Sequence, residues 1–124
     1  MAPLLILLTS KQAQWIGFVL GGVIISLSTL TPIEHLPPAP GSDKLHHLIG
    51  FGGWALMCAF GPFRQFLIMA TFIALWGGVI ELIQPYVNRY GEWLDFFANS
   101  LGVLCTVTIK TLFHLRIARS ISSS

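Results

Sequence analysis

Charge is what this sequence has least of. Seven Lys and Arg and five Asp and Glu make up only 10% of the 124 residues, against 54% hydrophobic residues. A soluble domain of that composition would lack the polar surface to cover itself, so the chain reads as a membrane protein with room for one domain. The net charge of +2 is too small, and its carriers too scattered, for a nucleic-acid surface, and no nucleic-acid partner is expected. Cysteine is equally scarce. Cys58 and Cys105 lie in apolar runs without a CxxC spacing, which argues against a disulfide framework and for packing roles. There is also no HExxH, no Ser-His nucleophile pattern and no phosphate-cradling glycine loop, so the motifs name no reaction and no cofactor is expected.

What the chain does have is apolar length. Four segments, at about 13–31, 43–60, 64–84 and 92–113, are long enough to cross a hydrocarbon core of about 30 Å at about 1.5 Å per helical residue. The expected fold is therefore all-α, a polytopic bundle of four transmembrane helices with short connections. A short apolar lead-in occupies 1–12, without an A-x-A site after it, so a cleaved signal peptide is not expected. A basic, serine-rich tail over 114–124 reads as disordered. Pro32, Pro37, Pro38 and Pro40 predict an extended first loop, and Ser42 or Asp43 then offers the N-cap of the second helix. Gly17 and Gly21 form a GxxxG that lets a second helix approach closely, either within the chain or in a homodimer.

Polar side chains in such segments are costly: a carboxylate at the bilayer centre costs about 3 kcal/mol on insertion scales and usually faces a bundle interior or wet cavity. They fall in three groups. In Asp43-Lys44-Leu45-His46-His47, His47 is turned about 40° from Asp43 and His46 about 60° the other way, so all three share a face. Ala70, Ala74 and Gly78 make a small-residue stripe that continues to Glu81 and aims it inward, with Gln84 on the same side and Arg89 in the turn beyond. Asp95, Asn99, Gly102 and Thr106 form a third stripe. Lys11, Arg64, Lys110, Arg116 and Arg119 fall at one end of the segments, and only Lys44 and Arg89 at the other. The positive-inside rule then places both termini in the cytoplasm and all three polar groups near the outer leaflet. Asp43, Lys44, His47, Glu81, Gln84, Arg89, Asp95 and Asn99 are the expected ligand contacts of one outward-facing polar cavity.

In their order and spacing, Asp43-Lys44, His47, Phe51, Glu81, Gln84, Arg89, Asp95, Asn99 and Gly102 resemble the VanZ-like family of small bacterial membrane proteins. The resemblance covers roughly residues 15 to 108. Cys105 and Thr106 stand where relatives often repeat a glycine. The founding member is associated with low-level resistance to teicoplanin, a glycopeptide that acts on wall precursors outside the membrane. The resemblance thus implies a bacterial plasma membrane and an envelope process, without naming a reaction.

Three readings are open at this level. The cavity binds or modulates a membrane lipid or lipid-linked envelope precursor, with Arg89, Lys44 or a histidine meeting phosphate and Asp95, Asn99 and Gln84 bonding to sugar or peptide. Alternatively, Glu81 or Asp95 acts as general base and His47 as acid in a membrane-embedded enzyme. In the third reading the polar residues only lock the bundle. His46, His47, Glu81 and Asp95 have the donor types for a metal but no ligand-spacing signature.

Overall fold

The computed structural model describes residues 2–124, whose regular structure is entirely helical, with no strand among them. Five α-helices follow in order: α1 (Ala2–Leu8), α2 (Lys11–Leu30), α3 (Asp43–Cys58), α4 (Phe63–Ile83) and α5 (Trp93–Ser122). Short 3-10 turns at Ile33–His35 and Gln84–Val87 interrupt the longer connections. The helices begin where the sequence supplies caps. The Ser10 hydroxyl accepts from the Ala13 amide at 3.1 Å, and Ser42, one of the two residues expected to cap α3, accepts from Leu45 at 3.2 Å. The three segments Lys11–Leu30, Phe63–Val87 and Trp93–Ser122 are long and apolar enough to cross a membrane. At 16 residues α3 spans only about 24 Å, less than a typical hydrocarbon core.

Side-chain contacts fix the directions of α2 to α5. At one end Gln14, near the start of α2, donates to the Cys58 carbonyl at the end of α3 (2.9 Å) and to the Pro62 carbonyl ahead of α4 (3.1 Å). Phe63 stacks there on His114 of α5, with ring centroids 4.1 Å apart. At the other end Gln84 donates to the Thr29 carbonyl (3.0 Å), and His47 of α3 meets Asn99 of α5. Successive helices therefore alternate in direction. Phe51, Trp54, Ala55 and Cys58 of α3 are buried among Phe66, Met69, Ile73 and Ile80 of α4 and Val103 of α5. The outward faces of α2, α4 and α5 carry large apolar side chains, among them Ile16, Leu27, Ile68, Leu75, Leu101 and Leu104.

Two helix contacts are close enough to exclude any side chain. A Cβ on Gly102 would stand 2.2 Å from the Leu48 carbonyl oxygen, so α3 and α5 touch backbone to backbone, and Thr106 reinforces the contact by donating to the Gly52 carbonyl at 3.0 Å. A Cβ on Gly17 would lie 2.7 Å from the Met57 carbonyl oxygen, and one on Gly21 would meet the Trp54 ring at 2.4 Å. Of the two uses open to the Gly17/Gly21 face, packing within the chain or in a homodimer, the first is taken up by α3 of the same chain.

The tail also departs from expectation. Residues 114–122 continue α5 as helix instead of becoming disordered, since no Pro or Gly follows Gly102 to break it and His114 is held against Phe63. Ile33–His35 likewise forms a turn inside the loop expected to be extended.

Candidate functional site

The site is assembled from helix ends. The first turn of α3 presents Asp43, Lys44 and His47. The inward stripe of α4 runs through Phe66, Ala70, Ile73, Gly77 and Ile80 to Glu81 in its last turn. Gly77 lies on that stripe, beside Phe51 and Asn99, while the expected Gly78 packs against Phe96. The first turns of α5 bring in Asp95 and Asn99, buried together with Gly102 and Thr106 on the stripe read from the sequence.

His47 is the hub. It is only 5% exposed, and its ring stacks parallel to that of Phe51. Nδ1 donates to Asn99 Oδ1 at 2.8 Å, which is consistent with the Asn99 amide nitrogen facing Glu81 Oε1 at 3.5 Å. The other oxygen of Glu81 accepts from the Glu92 backbone amide at 3.1 Å. These bonds fix the imidazole from behind and leave Nε2 facing Asp43 Oδ2 at 3.8 Å and Asp95 Oδ2 at 3.7 Å, too far for hydrogen bonds. Asp95 is turned that way because Lys44 Nζ holds its Oδ1 at 2.7 Å, while the same ammonium also pairs with Glu92. Donor atoms of Asp43, His47 and Asp95 all lie within 4.8 Å of one another. Four carboxylates thus gather around one lysine and one imidazole: Glu81 and Asp95 are buried, where charge is costly, whereas Asp43 and Glu92 are about half exposed.

Six of the eight expected ligand contacts meet here: Asp43, Lys44, His47, Glu81, Asp95 and Asn99. Gln84 and Arg89 do not join them. Gln84 is buried against α2 with its amide on Thr29, and Arg89 Nη1 donates to the Ser28 and Thr31 carbonyls at 3.2 and 3.0 Å, so both tie down the C-terminal end of α2. Among the described residues Arg89 pairs with no carboxylate, although it lines a cavity of about 330 Å³ that also touches Asp43, His46 and His47. His46 departs from the metal set considered above. Its Nε2 bonds to the Pro40 carbonyl at 2.7 Å, on the exposed side of α3, and Asp43 takes its place beside His47.

Glu92 was not among the expected site residues. It contributes through its backbone to Glu81 and through its side chain to Lys44, and the sequence signal is its place at the N-cap of α5 just after a glycine. A Cβ on Gly91 would lie 2.2 Å from the Glu81 carbonyl oxygen, so only glycine lets the chain pass that close.

No family model, curated protein or solved structure matches the chain.

Proposed function

We infer that this is a VanZ-like integral membrane protein of four crossings that binds or modulates the polar headgroup of a membrane lipid or lipid-linked envelope precursor near the outer leaflet. The observation that carries the reading is the joining of three separate polar segments around His47, beside a cavity that has Arg89 on its wall. In that cavity Arg89 supplies unused guanidinium donors for a phosphate, and the exposed face of Asp43 a hydrogen-bond acceptor for sugar or peptide. Tyr86, Tyr90 and Trp93, all highly exposed at the same end, have the character of an interfacial aromatic belt. The alternating directions of α2 to α5 support α3 as a fourth crossing despite its length, with Ala59 and Phe60 extending its apolar run. Both termini would then be cytoplasmic, as the distribution of Lys and Arg favours, in a bacterial plasma membrane.

A membrane-embedded enzyme is the second reading. It is favoured by the imidazole oriented from behind by Asn99, with Asp95 or Glu81 as the base beside it. Under the third reading, a purely structural lock, the cluster has no ligand.

Native mass spectrometry of the gently solubilised chain, beside Arg89→Gln and Asp43→Ala with helicity followed by circular dichroism, separates these readings. Retention of a phosphate-bearing lipid by the wild type, and its loss from folded variants, is the expected result. Variants that lose lipid only by unfolding point to the structural lock, and folded variants that keep it overturn the proposed site.

A further inference from the structure

The donor set around His47 has the arrangement of a metal site. Asp43 and His47 stand four residues apart on one face of α3, the spacing at which one helix can offer two ligands to one ion. Asp95 faces them from α5. Nε2 is the unpartnered atom of a side chain that is otherwise buried and hydrogen-bonded, and it is aimed at two carboxylate oxygens. Around a cation with ligand bonds of about 2.0–2.2 Å in tetrahedral geometry, neighbouring donors stand about 3.4 Å apart. The two edges at Nε2, 3.7 and 3.8 Å, reach that separation with a few tenths of an ångström of side-chain rotation, and the two carboxylates, within 4.8 Å of each other, close on the ion by the same kind of rotation.

The surroundings fit the same purpose. A metal-ligating histidine almost always donates its other ring N–H to an acceptor that fixes the ring, and here Asn99, itself facing Glu81, is that acceptor. Lys44 does the equivalent for Asp95, holding one oxygen so that the other points at Nε2. A divalent ion would compensate the excess of carboxylates over cationic groups. Asp43, with a side chain 58% exposed, leaves a route in from solvent.

We propose that Asp43 Oδ2, His47 Nε2 and Asp95 Oδ2 form a binding site for one divalent first-row metal cation, of the zinc or manganese type. The imidazole donor disfavours Ca²⁺ and Mg²⁺, which prefer all-oxygen shells. Three protein ligands leave at least one coordination position for water or an incoming oxygen ligand. The site goes beyond the headgroup reading and does not depend on it.

The test is a titration of the full chain, purified in detergent and stripped of metal, with Zn²⁺ alone and separately with Mn²⁺, followed by calorimetry and metal analysis of the dialysed protein. Lipid adducts are counted separately by native mass spectrometry, so that failure of the cation site and failure of the headgroup reading are read apart. One equivalent is expected to bind in the wild type. Asp43→Asn, which alters an exposed side chain and leaves the fold intact, is expected to weaken binding at least tenfold, and His47→Gln to abolish it. Asn99→Leu is expected to weaken it 10- to 100-fold through the imidazole. His46→Gln keeps wild-type affinity. The proposal is overturned by a wild type that takes up no stoichiometric Zn²⁺ or Mn²⁺, or by uptake unchanged in both Asp43→Asn and His47→Gln.

Discussion

The two ends of the helix bundle bury polar side chains in opposite ways. At the end holding Gln14, a neutral amide that is almost fully buried spends its donors on the carbonyl of Cys58, which the end of α3 leaves without a partner, and on that of Pro62, which also accepts from the Phe66 amide. Nothing charged takes part. At the end holding His47, four carboxylates crowd one ammonium and one imidazole, and Nε2 has no hydrogen-bond partner among the described residues. Burial of polar groups is therefore not what marks a site in this molecule. The mark is an excess of like charge that the fold holds in place without neutralising it, whereas donors matched to backbone carbonyls mark a structural tie. Gln84 and Arg89 lie close to the first kind and belong to the second.

Substitutions can break this comparison or sharpen it. The largest effect is expected where neither kind of polar group is involved. Gly102→Val forces α3 and α5 apart at a contact where even a Cβ would sit 2.2 Å from a carbonyl oxygen. Overpacking costs about 1–3 kcal/mol in ordinary cores and more against rigid backbone, so this variant should fail to give a monodisperse folded peak in size-exclusion chromatography. Gln14→Leu should come next. It strands the buried Cys58 carbonyl, while Pro62 keeps the Phe66 amide, at a cost of about 1–3 kcal/mol, read as a lower melting temperature with cation uptake unchanged in the protein that remains folded. Glu81→Gln should change stability by less than about 1 kcal/mol, because the new amide oxygen still accepts from Glu92, the contact given up with Asn99 is a long one of 3.5 Å, and the loss of one charge relieves its neighbours. A Glu81→Gln melting temperature as low as that of Gln14→Leu would erase the distinction between the two ends. The smallest change is expected for Lys44→Arg, which keeps a cation against the buried Asp95 carboxylate. Its melting temperature should stay near the wild type, while the altered position of that cation turns Asp95 and lowers metal affinity.

Much of this was legible in the sequence, for a physical reason. Asp95, Asn99, Gly102 and Thr106 recur at helical spacing in an uninterrupted helix, so their shared face follows from the period alone. The same rule brought Asp43 and His47 together on α3. Periodicity failed where the backbone changes its winding. Pro85 converts the end of α4 into a 3-10 turn that begins at Gln84 and swings its side chain toward α2, away from Glu81. It also could not say which neighbour a small-residue face would meet. Gly17 and Gly21 suit another copy as well as α3, and only the packing of Trp54 and Met57 decides. Glu92 escaped notice because its part is played half by its backbone amide, which has no residue-type signature.

The length of α5 has a mechanical consequence. From Asp95 to Ser122 it is one unbroken helix, a rod of about 40 Å whose last turns are exposed on every side. A tilt of about 3° at the Asp95 end displaces the far tip by about 2 Å over that length. The helix is thus a lever with its short arm in the polar cluster. A spin label at Ser122, measured against one at Lys11, would convert such a tilt into a change in distance at the end of the molecule opposite the cluster.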